Sequence, residues 1–288
     1  MKMQLHIYIL WSIILGLFCA CNAQEQSADH SIHPPKIQID SSIVEKAIPA
    51  IPIGLEKLMI AYPEQDFKAI ANGLIWSDGD TLVYQDSIKN VDKTFQMLLN
   101  QPDLEDQLSM SYPKGMDYPI PSRNHDPGRI RVEAFFLKMY GENKEAVRKN
   151  LVEIDFLGSK LLVTQINSID KKLIKIAQEL AEYPKLKKYL ENIGGTFNWR
   201  KIAGTNRLST HSFGMTIDIN VKYSNYWRWA VGDKTEDGKR PIVYKNKIPL
   251  EIVRIFEQNG FIWGGKWYHY DTMHFEYRPE LLIELTTK

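Results

Sequence analysis

The run "MTIDINV" (215–221) alternates apolar and polar residues along its whole length. Met215, Ile217, Ile219 and Val221 share one face and predict a strand with that face on a core, while Thr216, Asp218 and Asn220 share the other. Gly214 stands just before the strand, where a glycine lets the chain turn so that His211 folds back over the Asp218 face. "MHFEY" (273–277) alternates in the same way, with His274 and Glu276 on one face and Met273, Phe275 and Tyr277 on the other. "KLLVTQI" (160–166) reads as a further strand, and "NGLIWSDGDTLVYQD" (72–86) as a hairpin around Asp78-Gly79-Asp80.

Helical runs lie between these. "VDKTFQMLLN" (91–100) is one, and "IRVEAFFLKMY" (130–140) is another, with Gly141 suited to a left-handed C-terminal cap. "DKKLIKIAQELAEY" (170–183) follows Ser168 as a candidate cap, and Pro184 suits the first turn of the next helix. "LEIVRIFEQNG" (250–260) is amphipathic and closed by a glycine. Helices preceding short strands, without regular βαβ alternation, predict an α+β fold: a small antiparallel sheet with helices packed on it. The segment 101–129 is proline-rich and aperiodic, which reads as a long wrapping segment or a boundary. The expected division is an N-terminal subdomain over 51–125 and a main domain over 126–288.

The first 21 residues, "MKMQLHIYILWSIILGLFCAC", carry a lysine and then an apolar run of signal-peptide length. The ending Ala20-Cys21 resembles a bacterial lipoprotein signal, in which residues 1–20 are removed and Cys21 is acylated. Phe18 departs from the usual leucine three residues before the cysteine, and a plain secretory signal is the alternative. Either reading exports the chain, and the first predicts a lipid anchor in a membrane of the cell envelope. Residues 21–50 are polar and poor in core residues, as expected of a flexible tether.

Composition narrows the chemistry. Lysine plus arginine number 36 against 35 acidic residues, so the net charge of +1 gives no general attraction to nucleic acid. The two cysteines are Cys19 and Cys21, which leaves the body of the chain without a disulfide or a thiolate site. A buried metal would be held by His, Asp or Glu. His211 and Asp218 alone are either half of a metal site or a loop histidine before an ordinary strand. With His274 they become two histidines and an aspartate, the number of protein ligands that a catalytic zinc site uses. Asp271, three residues before His274, is the carboxylate nearest in sequence to a ligand and suits the role of proton acceptor. Glu276 shares the His274 face and suits orienting an imidazole. His269 reads as a wall or surface residue, His125 as a loop hydrogen-bonder, and "YSNYWRWA" (223–230) as packing or a share of a substrate wall.

Taken together, Ser209-Thr210-His211, Gly214 and Asp218, then Trp263-Gly264-Gly265, Trp267 and Asp271-Thr272-Met273-His274-Phe275-Glu276, resemble the M15 zinc peptidases. That family includes D-alanyl-D-alanine carboxypeptidases and dipeptidases and L-alanyl-D-glutamate endopeptidases. "WGGKW" followed by "DTMHFE" is most similar to the endopeptidase-like branch. The resemblance covers about the last third of the chain and implies a hedgehog/DD-peptidase-like fold. It implies His211, Asp218 and His274 as ligands of one zinc ion and Asp271 as general base. It also implies an upstream arginine that stabilises the oxyanion. Arg200, preceded by Trp199, matches the aromatic-Arg pattern, although its spacing to His211 is short, and Arg207 is the alternative. Ser209 and Trp267 are expected around the ligands or against substrate. The implied activity is hydrolysis of peptide bonds in peptidoglycan stem peptides, of the L-Ala-D-Glu type. The alternatives are D-alanyl-D-alanine carboxypeptidase or dipeptidase activity, and a non-catalytic wall-binding lipoprotein on the same fold.

Overall fold

Both alternating runs form strands, and they pair with each other. The computed structural model describes residues 50–232 and 241–285. The signal segment, Cys21 and the tether, apart from Ala50, lie outside the described residues. In chain order the helices and strands are α1 (Ile53–Ala61), β1 (Lys68–Ile70), β2 (Gly73–Ile75), β3 (Thr81–Val83), α2 (Phe95–Asn100) and α3 (Leu104–Leu108). Then come α4 (Glu133–Tyr140), α5 (Lys144–Arg148), β4 (Leu151–Phe156), β5 (Ser159–Thr164), α6 (Ile169–Ala181) and α7 (Lys187–Leu190). The chain continues with β6 (Thr216–Asp218), α8 (Trp227–Val231), α9 (Leu250–Gln258), β7 (Phe261–Trp263) and β8 (His274–Tyr277). The described sheets are all antiparallel: β1-β2-β3, the β4-β5 hairpin and β6-β8-β7. The fold is α+β, as the pattern predicts.

The β6-β8-β7 sheet positions the chemistry. Its inner face buries Met215, Ile217, Phe275 and Tyr277. α9 covers that face with Ile252, Val253, Ile255 and Phe256, and the Phe256 ring stacks on Phe275 with centroids 4.0 Å apart. α6 adds Leu173, Ile176 and Leu180 to the same core. Val221 departs from the predicted parity: β6 ends at Asp218, and Val221 lies in a 3₁₀ turn, 41% exposed.

The described residues belong to one compact unit, with no division between units near residue 125. Leu55, Leu58, Phe67, Leu74 and Trp76 enter the same core cluster as Phe135 and Ile217. The proline-rich segment is a strap rather than a linker. Lys266, fully buried, donates to the carbonyls of Pro113 (2.7 Å) and Gly115 (2.6 Å) and pairs with Glu257 at 2.6 Å. Tyr112 donates to the same Glu257 oxygen, and the Trp267 indole N–H donates to the Pro127 carbonyl. Such buried polar closures hold an aperiodic chain in place of ladder hydrogen bonds.

Two predicted caps form differently. Gly141 has φ 132° and ψ 136°, outside the left-handed helical region, and its N–H still closes α4 onto the Leu137 carbonyl. Ser168 precedes α6 in a left-handed conformation, and its hydroxyl donates to Glu64 instead of capping the helix. Pro184 does open a 3₁₀ turn ahead of α7.

Gly214 fulfils its predicted role. It is left-handed at φ 68°, ψ 17°, and caps the 3₁₀ turn Thr210–Phe213 that carries His211. A Cβ there would lie 2.6 Å from Leu151 Cδ2 and 3.1 Å from the backbone nitrogen of Thr164. Gly214→Ala is therefore expected to cost about 1–3 kcal/mol of stability, from strain and overpacking together. Denaturant unfolding of the two proteins measures it, and an unchanged midpoint would refute the assignment.

Candidate metal centre

The strand register brings the first two ligands together. β6 and β8 pair with Asp218 opposite His274 and Thr216 opposite Glu276, and directly opposed residues project to one face. His274 Nδ1 lies 3.0 Å from Asp218 Oδ1. His211 arrives from the turn before β6, and its Nε2 lies 3.2 Å from Asp218 Oδ2. One donor atom from each of the three residues falls within 4.8 Å of the others.

The outer nitrogens of both imidazoles fix which atom faces inward. His211 Nδ1 lies 2.5 Å from the Thr196 carbonyl oxygen, which can only accept. Nδ1 therefore carries the proton and Nε2 offers its lone pair. His274 lies between two carboxylates, Nε2 3.0 Å from Glu276 Oε2 and Nδ1 toward Asp218, so Nδ1 is the nitrogen turned toward the other candidate ligands. Arg278 in turn donates to Glu276 at 3.1 Å. Carbonyl and carboxylate partners behind ligating imidazoles are what a metal site requires to hold ring orientation.

The donor set fits zinc. Two imidazole nitrogens and a carboxylate are donors zinc takes, and each nitrogen lies 3.0–3.2 Å from one of the two Asp218 oxygens. The charges agree. Burial opposes ionisation of Asp218, yet His211 and then His274 hold it below the usual carboxylate range. Burial likewise opposes the Glu276 charge, but the His274 hydrogen bond and Arg278 hold it at about 2. Burial disfavours the His274 imidazolium, but Asp218 and Glu276 overcome it and raise His274 to about 10. Two carboxylates thus draw positive charge onto this point, and a divalent cation meets the same demand.

Asp271 is different. Burial first, and the Asp218 charge second, raise it to about 7. Its Oδ1 is buried without a hydrogen-bond partner. A carboxylate oxygen left unpaired beside such a cluster is costly for stability and marks a working group. Its backbone is pinned: the N–H donates to the Gly264 carbonyl, and a Cβ on Gly264 would sit 2.6 Å from the Asp271 oxygen.

These groups line an open cleft of about 620 Å³. Ser209, Trp267 and Glu276, all singled out in the sequence, line it too, and the Trp267 ring lies 5.6 Å from that of His274. Arg200 lines the cleft with an exposed side chain, whereas Arg207 is not among the lining residues. His269 is a wall residue, almost fully buried, with Nδ1 2.5 Å from Asp126. His125 bonds the Ser111 carbonyl, as a loop histidine would. Tyr226, Trp227 and Trp229 of the aromatic cluster contribute to the cleft wall. Sequence reasoning missed Arg129 and Arg131, which line the cleft from the strap. The signal was present in "DPGRIR": arginines two apart beyond a Pro-Gly turn share one face of an extended chain.

Residues 203–277 match an M15 peptidase family, described as D-alanyl-D-alanine carboxypeptidase. No curated protein matches the chain. The M15 segment contains His211, Asp218, Asp271 and His274, and it supports a hydrolase acting on peptide bonds. It begins after Arg200 and excludes the strap, so the M15 match accounts for the metal centre and not for the whole cleft.

Proposed function

We propose that the chain is a zinc-dependent peptidase of the cell envelope that hydrolyses a peptide bond in peptidoglycan stem peptides. The observation that carries this reading is the pair of imidazoles, each backed by an acceptor, converging on Asp218 beside Asp271 with its buried, unpartnered Oδ1. His211, Asp218 and His274 would hold the ion. A bound zinc would acidify a water molecule and polarise the scissile carbonyl. Asp271 takes the water's proton and returns it to the leaving amine, a role suited to a carboxyl raised toward neutrality. Arg200, exposed and on the cleft lining, would stabilise the negative charge that develops on the carbonyl oxygen.

The "WGGKW" and "DTMHFE" motifs favour the L-Ala-D-Glu type of cleavage. The description of the matched family favours the second reading, removal of a terminal D-alanine. Mass spectrometry of digested muropeptides separates them. The first releases a fragment cut next to D-Glu, the second a single D-Ala, and a chelator is expected to stop either. Digestion that continues undiminished after chelation would remove the metal from the reaction. A protein that digests nothing and takes up no stoichiometric zinc would instead fit the wall-binding alternative. We place the protein at the envelope through acylated Cys21. Among the described residues no helix is long and apolar enough to cross a membrane, and such an anchor needs none.

A further inference from the structure

The strap brings two guanidinium groups to the cleft that the M15 segment does not contain. Arg129 and Arg131 both line it. Arg129 donates to Asp126 at 2.9 Å, with only 11% of its side chain exposed and none of the aspartate's. Asp126 is shared: its Oδ1 accepts the His269 backbone N–H at 2.9 Å, and the His269 ring Nδ1 lies against Oδ2, the oxygen that Arg129 also meets. Against the pull of burial, Arg129 and His269 keep Asp126 ionised. The His269 ring is itself clamped, stacked on Phe95 at 5.6 Å and edge-on to Trp227 at 4.8 Å. Arg131 donates to the Leu208 carbonyl. Both guanidiniums are thus held by rigid acceptors rather than left as surface side chains.

Charge points to what they meet. Four arginines line the cleft (Arg129, Arg131, Arg200 and Arg228) against three carboxylates; with Asp126 behind Arg129 the two signs balance, and a divalent cation would make the sum positive. A cleft of this sign draws anions, and guanidinium is the side-chain group best matched to a carboxylate's two oxygens.

We propose that Arg129 and Arg131 form a carboxylate-binding subsite, separate from the metal ligands, that selects anionic peptides. It rests on the peptidase reading for the substrate class alone. Asp126 and His269 are positioning residues, holding Arg129 at the wall. A stem peptide offers two sources of carboxylate, its C-terminus and the α-carboxylate of the γ-linked D-glutamate.

The test is equilibrium binding of L-Ala-γ-D-Glu-L-Lys-D-Ala-D-Ala to the full chain, read by the fluorescence of Trp227, Trp229 and Trp267 at the cleft. Two further peptides carry an amide at the C-terminus or at the D-Glu α-carboxyl. Loss of one charge-assisted contact is expected to weaken one amide about tenfold or more, and the affected peptide names the source. Arg129→Gln is expected to weaken the parent peptide by the same factor and to leave that amide's affinity unchanged. Arg131→Gln provides an independent variant should the first fail to fold. Both amides binding as tightly as the parent, no binding of any peptide at millimolar concentration, or an undiminished preference in a folded variant would overturn the subsite. Preference for the acid without any cleavage, with zinc bound, would retain the subsite and remove the peptidase reading.

Discussion

His274→Ala is expected to lose stoichiometric zinc and with it at least a thousandfold of peptidase activity. The residue supplies one of the three donors that converge at this point. Its loss also leaves Glu276 without the hydrogen bond that holds it ionised against burial. With only Arg278 left to pair it, that buried carboxylate is less well satisfied, so a lower melting temperature is expected to accompany the loss of metal. Elemental analysis of protein purified without chelator checks the first effect, and thermal unfolding the second. A variant that keeps one zinc per chain would show that His274 is not a ligand.

Asp271→Asn is expected to behave in the opposite way. The amide is isosteric, so the metal should stay at full occupancy while turnover falls by about 10²–10⁴, the range for removing a positioned proton acceptor. The pH dependence follows from the same group. Only the carboxylate accepts a proton, so kcat/KM falls as pH falls through the Asp271 pKa. Without metal, burial and Asp218 raise that pKa to about 7. A bound cation adds positive charge and draws the acidic limb lower. The limb should vanish from the residual activity of Asp271→Asn. If it persists there at the same pH, another group carries it.

The convergence of the candidate metal residues was legible in the sequence because its geometry is written in strand parity. Asp218 and His274 each occupy the outward face of an alternating run, and the β6–β8 register then has only to oppose them. α9 was legible for a similar reason, since its apolar residues recur at helical spacing. The β4-β5 hairpin shows where pattern fails. β4 alternates cleanly, but its turn is Leu157-Gly158 with Leu157 left-handed at φ 52°. That sequence lacks the Asn-Gly or Asp-Gly signature by which such turns are recognised. The sequence leaves the strap open between a wrapping segment and a boundary because its order comes from side chains distant in sequence. Lys266 and Glu257 clip Tyr112 and Gly115 from about 150 positions away, and no local period reports such contacts.

Lys266 has one more consequence, for how the protein can change over evolutionary time. It fastens the strap to the sheet that carries the ligands, yet it touches neither the metal residues nor Arg129 and Arg131. The strap and the candidate metal residues therefore lie in separate stretches of sequence, fastened by Lys266 among other contacts. On the proposed subsite, substitutions at Arg129 and Arg131 would alter which peptide enters the cleft while His211, Asp218 and His274 stay as they are. Changes of taste need not pass through loss of chemistry.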